Sequence, residues 1–226
     1  HTGYRRAGNE DSYLADVPLF AVADGMGGHS HGDRASDAVV RRLQAAVDGD
    51  FIEPGAIIEA LNLATWDIHQ LDDADHGIGT TVTGVALSLV DGHPQLTTFN
   101  VGDSRVYRFS GNELSQVTTD HSIVQEMVEA GQLSAEQAEN HPESNVITRA
   151  VGFSIEPEVD MRVLPLEPGM RLLICSDGLT KEVPLERLRL HLAARLSARE
   201  TANALVDAAL AQGGRDNITV IVVDVV

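Results

Sequence analysis

Between Thr80 and Phe109 the chain runs through three stretches rich in β-branched and aromatic residues, Thr80–Val90, Gln95–Val101 and Arg105–Phe109. Only Asp91-Gly92 and Gly102-Asp103 mark the joints inside them, and Ser110-Gly111-Asn112 follows the third. Joints this short connect antiparallel neighbours, because a parallel neighbour needs a crossover of a dozen or more residues. The stretch reads as an antiparallel meander. On either side the pattern is different. From Asp33 to about Val47, and again from Pro54 through Leu71, apolar residues recur at three and four, the spacing of a helix face, and Pro54 suits a first helical turn. Leu19–Ala23 is a short apolar run bounded by Pro18 and Asp24-Gly25, which predicts a buried strand. Further strands are expected at Glu158–Leu164, Arg171–Cys175 and Ile218–Val226. Helices are expected at Leu185–Leu196 and Ala198–Ala211, with helix-prone sequence at Ile123–Asn140, interrupted near Gly131 and Ser134. Strands joined by hairpins and helices grouped in pairs define a layered α+β domain and argue against alternating βαβ units.

With 226 residues and 43% apolar content, one compact domain spanning 1–226 is expected. Asp and Glu number 34 against 16 Lys and Arg, a net charge of −18. Such a surface repels phosphate backbones and anionic lipid, so neither nucleic acid nor membrane is an expected partner. The single cysteine, Cys175, makes no internal disulfide, and no apolar run approaches the roughly 20 residues of a bilayer span. A cytoplasmic setting follows as the expectation. The first residue is His1, not Met, so the chain reads as a piece lacking a few N-terminal residues, and a tether outside it is compatible with this reading.

Acidic residues recur where strands end. Asp24-Gly25 follows Val22-Ala23, Asp177-Gly178 follows Ile174-Cys175-Ser176, and Asp216-Asn217 leads into the last strand. Asp103 sits in Asn100-Val101-Gly102-Asp103-Ser104-Arg105, and Glu10-Asp11 stands near the start. One Asp-Gly is ordinary turn chemistry. Several carboxylates at the edge of buried strands, in a chain already so acidic, call for a compensating charge. Divalent cations supply it. Oxygen donors favour Mg²⁺, Mn²⁺ or Ca²⁺, whereas zinc normally recruits His or Cys. Two ions sharing a carboxylate would activate water for attack on phosphorus, and Arg5-Arg6 is close enough in sequence to Glu10 to offer a phosphate-holding group.

The order Arg6-x-x-Asn9-Glu10-Asp11-Ser12, Ala23-Asp24-Gly25-Met26-Gly27-Gly28, Gly79-Thr80-Thr81, Asn100 to Arg105, Thr119-Asp120-His121-Ser122, Cys175-Ser176-Asp177-Gly178-Leu179 and Gly214-x-Asp216-Asn217 resembles the type 2C metal-dependent Ser/Thr protein phosphatases. The likeness is to the bacterial branch, including mycobacterial-type enzymes. The resemblance implies a four-layer α-β-β-α sandwich, two antiparallel sheets flanked by helix pairs, with a flap at roughly 122–152. It implies Mn²⁺ or Mg²⁺, two core ions and a third. Asp24 would bridge the core pair, with the Gly25 carbonyl on the first ion and Glu10 acting on it through water; Asp177 and Asp216 would hold the second. Asp103 with Asp177 would hold the third, Arg6 would bind phosphate, and Asn217 would order the Asp216 loop. The catalytic set is then Arg6, Asp24, Asp177 and Asp216. Implied substrates are phosphorylated proteins, including Ser/Thr kinases, which the enzyme would oppose, and the implied state is a monomer.

Two departures stand out. Met26 replaces the His of Asp-Gly-His-Gly-Gly in animal members and cannot protonate a leaving alkoxide, which leaves metal-bound water ahead of His29 and His31 as the acid. Lys181 stands where many members have a carboxylate or amide. Asn145 lies near where some members contact the third metal, and Arg149 either touches substrate or braces the flap. Rival readings are weaker. His29-x-His31-x-Asp33 lacks the final His of a zinc hydrolase signature, because Arg34 occupies it. Cys175 lacks the Arg six residues on that a cysteine phosphatase needs. Asp48-Gly49-Asp50 is followed by Phe51 and preceded by a helix, unlike an aspartyl-phosphate motif, and Gly25–Gly32 lacks the Lys and Ser/Thr of a P-loop. A binding module without turnover would be expected to have lost one of the core residues that stand here.

Overall fold

The computed structural model describes residues 1–27, 31–71, 77–139 and 141–226. In chain order the strands are β1 (Asp11–Asp16), β2 (Leu19–Met26), β3 (Gly79–Thr80), β4 (Val82–Val90), β5 (His93–Val101), β6 (Arg105–Ser110), β7 (Glu113–Gln116), β8 (Asp160–Leu164), β9 (Arg171–Cys175) and β10 (Val220–Asp224). The helices are α1 (Gly32–Ala45), α2 (Pro54–His69), α3 (Ile123–Glu129), α4 (Ala135–Glu139), α5 (Asp177–Thr180), α6 (Leu185–Ala193) and α7 (Ala198–Gln212). One sheet runs β1-β2-β4-β5-β8, with β3 added to β2, and the other runs β10-β9-β6-β7; every pairing is antiparallel.

Three apolar clusters mark the three interfaces of a four-layer stack. Leu43, Leu61 and Ile57 of α1 and α2 pack on Leu19, Ala21 and Phe99 of the first sheet. Leu188, Leu192 and Leu205 of α6 and α7 pack on Leu173 and Cys175 of the second. Val22, Val85 and Leu96 meet Val106, Leu172, Ile174 and Ile221 between the sheets. Strand alternation sorts the residues: in β2 the odd positions 19, 21 and 23 face helices, and Val22 faces the opposite sheet. Helix α7 begins in a capping box, Ser197 with Glu200, just where the apolar periodicity starts.

The expected meander breaks at one joint. β4 and β5 form a hairpin, but β5 and β6 do not pair: β6 lies between β9 and β7 in the other sheet. Gly102-Asp103 is therefore a crossing between sheets, not a hairpin turn. Gly102 takes φ +108°, and a Cβ there would stand 2.6 Å from Thr81 Cγ2, so the bend requires glycine. Asn100 Nδ2 donates to the Gly102 carbonyl (3.0 Å) and His121 Nδ1 accepts from the Gly102 N–H (3.0 Å), satisfying the backbone that leaves the first sheet. β1 had no counterpart among the expected strands, because Asp11-Ser12-Tyr13-Leu14-Ala15-Asp16 holds only one strongly buried residue, Leu14.

Candidate active site

The alternation that packs the core also delivers the carboxylates. Asp24 follows Val22 on the face of β2 turned toward the second sheet, and Asp11 is its register partner on β1. Ser176 directly follows β9, and its Oγ donates to Asp11 Oδ2 (2.9 Å), as does Thr219 Oγ1 (2.7 Å). Asp11 thus ties the ends of both sheets together. Asp177 comes next and opens α5. The backbone around Asp24 is locked by Gly79-Thr80-Thr81: Thr80 Oγ1 and the Thr81 N–H both donate to the Asp24 carbonyl (2.9 Å each), and the Asp24 N–H donates to Thr81 Oγ1 (3.1 Å). Thr81 Oγ1 also bonds Ser104 Oγ (2.8 Å), joining this anchor to the Asp103 crossing.

A segment from the chain start lies against the loop before β10. His1 and Ile218 exchange backbone hydrogen bonds, and the Tyr4 N–H donates to the Gly214 carbonyl (2.6 Å). Asn217 carries most of the organisation: its Nδ2 donates to the Thr2 and Gly8 carbonyls and its Oδ1 accepts from the Glu10 N–H (2.9 Å). Its expected work on the Asp216 loop is joined by this second role, which spacing alone does not reveal. Arg6 is thereby set beside Asp216 in a two-pronged ion pair, Nε to Oδ1 at 2.8 Å and Nη2 to Oδ2 at 2.9 Å. Gly25 donates its N–H to the Glu10 carbonyl (3.1 Å), and a Cβ on Gly25 would come within 2.0 Å of the Gly32 carbonyl oxygen, so Glu10, Gly25 and the start of α1 meet only because residue 25 has no side chain.

The carboxylates in this arrangement act on one another through burial and like charge. Asp24 keeps a little accessible surface, but loss of hydration is the largest influence on its carboxyl, which burial and then Asp11, Asp177, Asp103 and Asp216 push well above the usual carboxylate range. Burial raises Asp103 to about 7, with Asp177 adding to it. Burial raises Asp11 to about 6 against the pull of Thr219 and Ser176. Glu10 is raised by burial and drawn back by Arg6. Asp11 Oδ1 and Asp177 Oδ1 are buried with no donor to either.

Among the described residues no three His, Cys, Asp or Glu side chains form a ready ligand cluster. Asp216 is held by Arg6 and one oxygen of Asp177 by Lys181. The donor set nonetheless fits divalent cations: all oxygen, crowded by like charge, with buried carboxylate oxygens that lack a donor. The chain itself offers too little positive charge here.

Other expected candidates fall elsewhere. Gly28, His29 and Asn140 lie outside the described residues, so the paired-histidine motif is represented only by His31, at the N-cap of α1. Cys175 is fully enclosed, and burial pushes its thiol up to about 12, which removes it as a nucleophile. Asn145 is exposed. Arg149 pairs with Asp160 (3.1 Å) and Glu158 (3.4 Å). Asp11 was noted in sequence only as a neighbour of Glu10; alternation sets it on the strand face opposite Leu14, beside exposed Tyr13, so the local pattern carried no signal that it is enclosed.

Buried oxygen donors beside an arginine, at the open end of a two-sheet sandwich, are what hydrolysis of a phosphate ester requires. The sequence profile of the family Protein phosphatase 2C matches residues 5–212. The Ser/Thr phosphatase stp of Listeria welshimeri is 37% identical over 220 residues, covering 92% of this chain and 84% of that protein. The Ser/Thr protein phosphatase PstP of Mycobacterium tuberculosis is 40% identical over 237 residues, covering 99% of this chain and 43% of the longer relative. A solved structure of the PstP catalytic domain in complex with two manganese ions superposes with a TM-score of 0.85 at 35% identity, covering 100% of this chain and 95% of that one. The chain belongs to the protein phosphatase 2C family and is by class a protein-serine/threonine phosphatase.

Proposed function

We propose that residues 1–226 form one catalytic domain that hydrolyses phosphoserine and phosphothreonine in proteins with two divalent cations, Mn²⁺ or Mg²⁺. Asp24, Asp177 and Asp216 would hold them, with the Gly25 carbonyl and, through water, Glu10. The observation that carries this reading is the mutual crowding of Asp24, Asp103, Asp177 and Asp216, brought together from the end of β2, the turns after β5 and β9, and the loop before β10. When bound, the ions supply a nucleophilic water and neutralise charge on the phosphoryl oxygens. Asp24 lies at the end of β2 among Asp11, Asp177, Asp103 and Asp216, so ions held there would be shared with its neighbours. Arg6 is half exposed at the rim, and its planar fork, matched to a carboxylate in the ion pair with Asp216, is equally matched to two phosphoryl oxygens. Asp11 keeps the two sheet ends in register through Ser176 and Thr219. Met26 donates no proton, so the leaving alkoxide takes its proton from solvent water in the site. Asp103 and Asp177, the pair that the resemblance assigns to a third ion, share their corner with Lys181.

We further infer that the natural substrates are phosphorylated proteins, Ser/Thr kinases among them, that the enzyme works in the cytoplasm as a monomer, and that residues 122–152 form a flap beside the site. The −18 charge supports exclusion of nucleic acid, and among the described residues no helix is long and apolar enough to cross a membrane. The test is phosphate release from a phosphothreonine peptide by metal-stripped protein, with Mn²⁺, Mg²⁺ or Zn²⁺ restored. Turnover with Mn²⁺ or Mg²⁺ is expected. Turnover with Zn²⁺ alone would shift the reading to the histidine motif, and none with any metal would leave a phosphoprotein-binding module.

A further inference from the structure

Asp177 lies between the core carboxylates and Asp103, and its two oxygens are used differently. Oδ1 is buried without a donor. Oδ2 is ion-paired to Lys181 Nζ, one turn further along the chain. Lys181 caps the short helix α5, its N–H bonding the Asp177 carbonyl at 2.9 Å, so its stem folds back along the same turn toward the carboxylate. Its charge is felt by Asp103, whose residue is 9% exposed, and by Asp216.

We propose that Lys181 is a tethered cation that takes the place of a third divalent ion at the Asp103–Asp177 pair, so that this chain binds two ions and not three. An ammonium has three donors and no lone pair, so it cannot be a ligand, and a divalent ion between Asp103 and Asp177 would face it directly. Asp177 then has one oxygen open to the core pair, while the other already faces a fixed cation that would repel a further ion. A fixed internal charge also offsets the repulsion between Asp103 and Asp177 without depending on the free metal concentration. The residues present therefore fit two ions and disagree with a third. This inference rests on the two-ion reading given above.

The experiment counts Mn²⁺ bound to the full chain by equilibrium dialysis with elemental analysis. Wild type and Asp103→Asn are both expected to bind two ions. Lys181→Asp replaces the cation with a ligand and is expected to bind three, falling back to two when combined with Asp103→Asn. If circular dichroism shows that Lys181→Asp does not fold, Lys181→Gln, which keeps the stem and offers a carbonyl oxygen, carries the comparison with the same expected rise. A wild-type count of three that drops to two in Asp103→Asn overturns the proposal. So does a count of two left unchanged by both Lys181 variants. Binding of no ion by wild type overturns the two-ion reading as well, which separates the two failures.

Discussion

Asp103, in the crossing between the sheets, and Asp120, in the segment after β7 that lies beside it, are both buried, 9% and 8% exposed, yet they meet opposite surroundings. Asp120 receives Arg105 through Nε at 2.9 Å and Nη2 at 2.6 Å, with Gln116 Nε2 adding a further bond at 2.9 Å. Arg105 is itself steadied by the hydroxyl of Tyr107 (3.0 Å). Asp103 meets a mixed field instead: burial and then Asp177 raise it to about 7, against the smaller opposing pull of Lys181 and Arg105. The difference separates two uses of a buried acid. Where the carboxylate only builds the fold, the sequence supplies its cation and fills its lone pairs. Where it is one of a crowd, as Asp103 is with Asp177, the single tethered Lys181 offsets the repulsion only in part.

The sharpest way to break this contrast is Asp24→Asn. Asp24 is the most strongly crowded carboxylate, so its loss is expected to lower Mn²⁺-dependent turnover by about a thousandfold, on the order of 4 kcal/mol of transition-state stabilisation. The same change should raise the melting temperature of metal-free protein, because a desolvated group in a ring of like charge is removed. A variant that loses activity and also melts lower without metal would mean that Asp24 is a structural acid like Asp120. The reverse test is Arg105→Gln. It strands Asp120 without its cation, and denaturant unfolding should show a loss of about 3 kcal/mol. If stability barely moves, the Arg105–Asp120 pair is not what holds the crossing.

Acidity probes both corners together. In metal-free protein the folded-state values of Asp11 and Asp103, about 6 and about 7, lie above the unfolded value of 3.8. Between those limits the folded chain keeps protons that the unfolded chain has released. Stability therefore falls as pH rises from about 4 to about 7, by several kcal/mol, since Asp11 is raised by about two pH units and Asp103 by about three, each worth about 1.4 kcal/mol per unit. Glu182, held low by Arg215, opposes this only below its ordinary range near 4.5. Saturating Mn²⁺ should flatten the slope, since cations bind the deprotonated groups. Urea melts at pH 5 and 7.5, with and without Mn²⁺, decide it; a metal-free protein more stable at 7.5 would deny the crowding.

Much of this was legible from residues alone, and the exceptions have physical causes. Apolar periodicity located α1, α2, α6 and α7 because each buries a face. β9 was bounded at Arg171 and Cys175 because a strand buried on both sides reads as a continuous apolar run. β1 escaped because an edge strand carries few apolar residues, and Asp11, its most enclosed acid, was hidden with it. The crossing at Gly102 escaped because a turn sequence does not say which sheet the next strand joins; that is decided by Val106 packing between the sheets beside Leu172 and Ile174. The site's members were visible as motifs, but Asn217 gathering Thr2, Gly8 and Glu10 across more than 200 residues leaves no local pattern.

The smallest expected change in stability sharpens the comparison most finely. Arg6–Asp216 repeats the fork geometry of Arg105–Asp120, but at the rim, with the Arg6 side chain 52% exposed. An exposed pair of this kind contributes about 0 to 1 kcal/mol, against the several lost when a buried partner is stranded. Arg6→Lys keeps the charge and removes the planar fork. It should leave the melting temperature within about 2 °C of wild type while lowering kcat/KM on a phosphothreonine peptide about tenfold, close to 1.4 kcal/mol. The fall should appear in kcat/KM and not in the count of bound Mn²⁺, because the proposed role of Arg6 is on the phosphoryl oxygens and a guanidinium donates nothing to a metal. A melting temperature that drops as far as in Arg105→Gln, with kcat/KM intact, would make Arg6 a clamp on the loop before β10. The same guanidinium–carboxylate geometry would then be structural at both ends of the site, and burial would no longer tell the two uses apart.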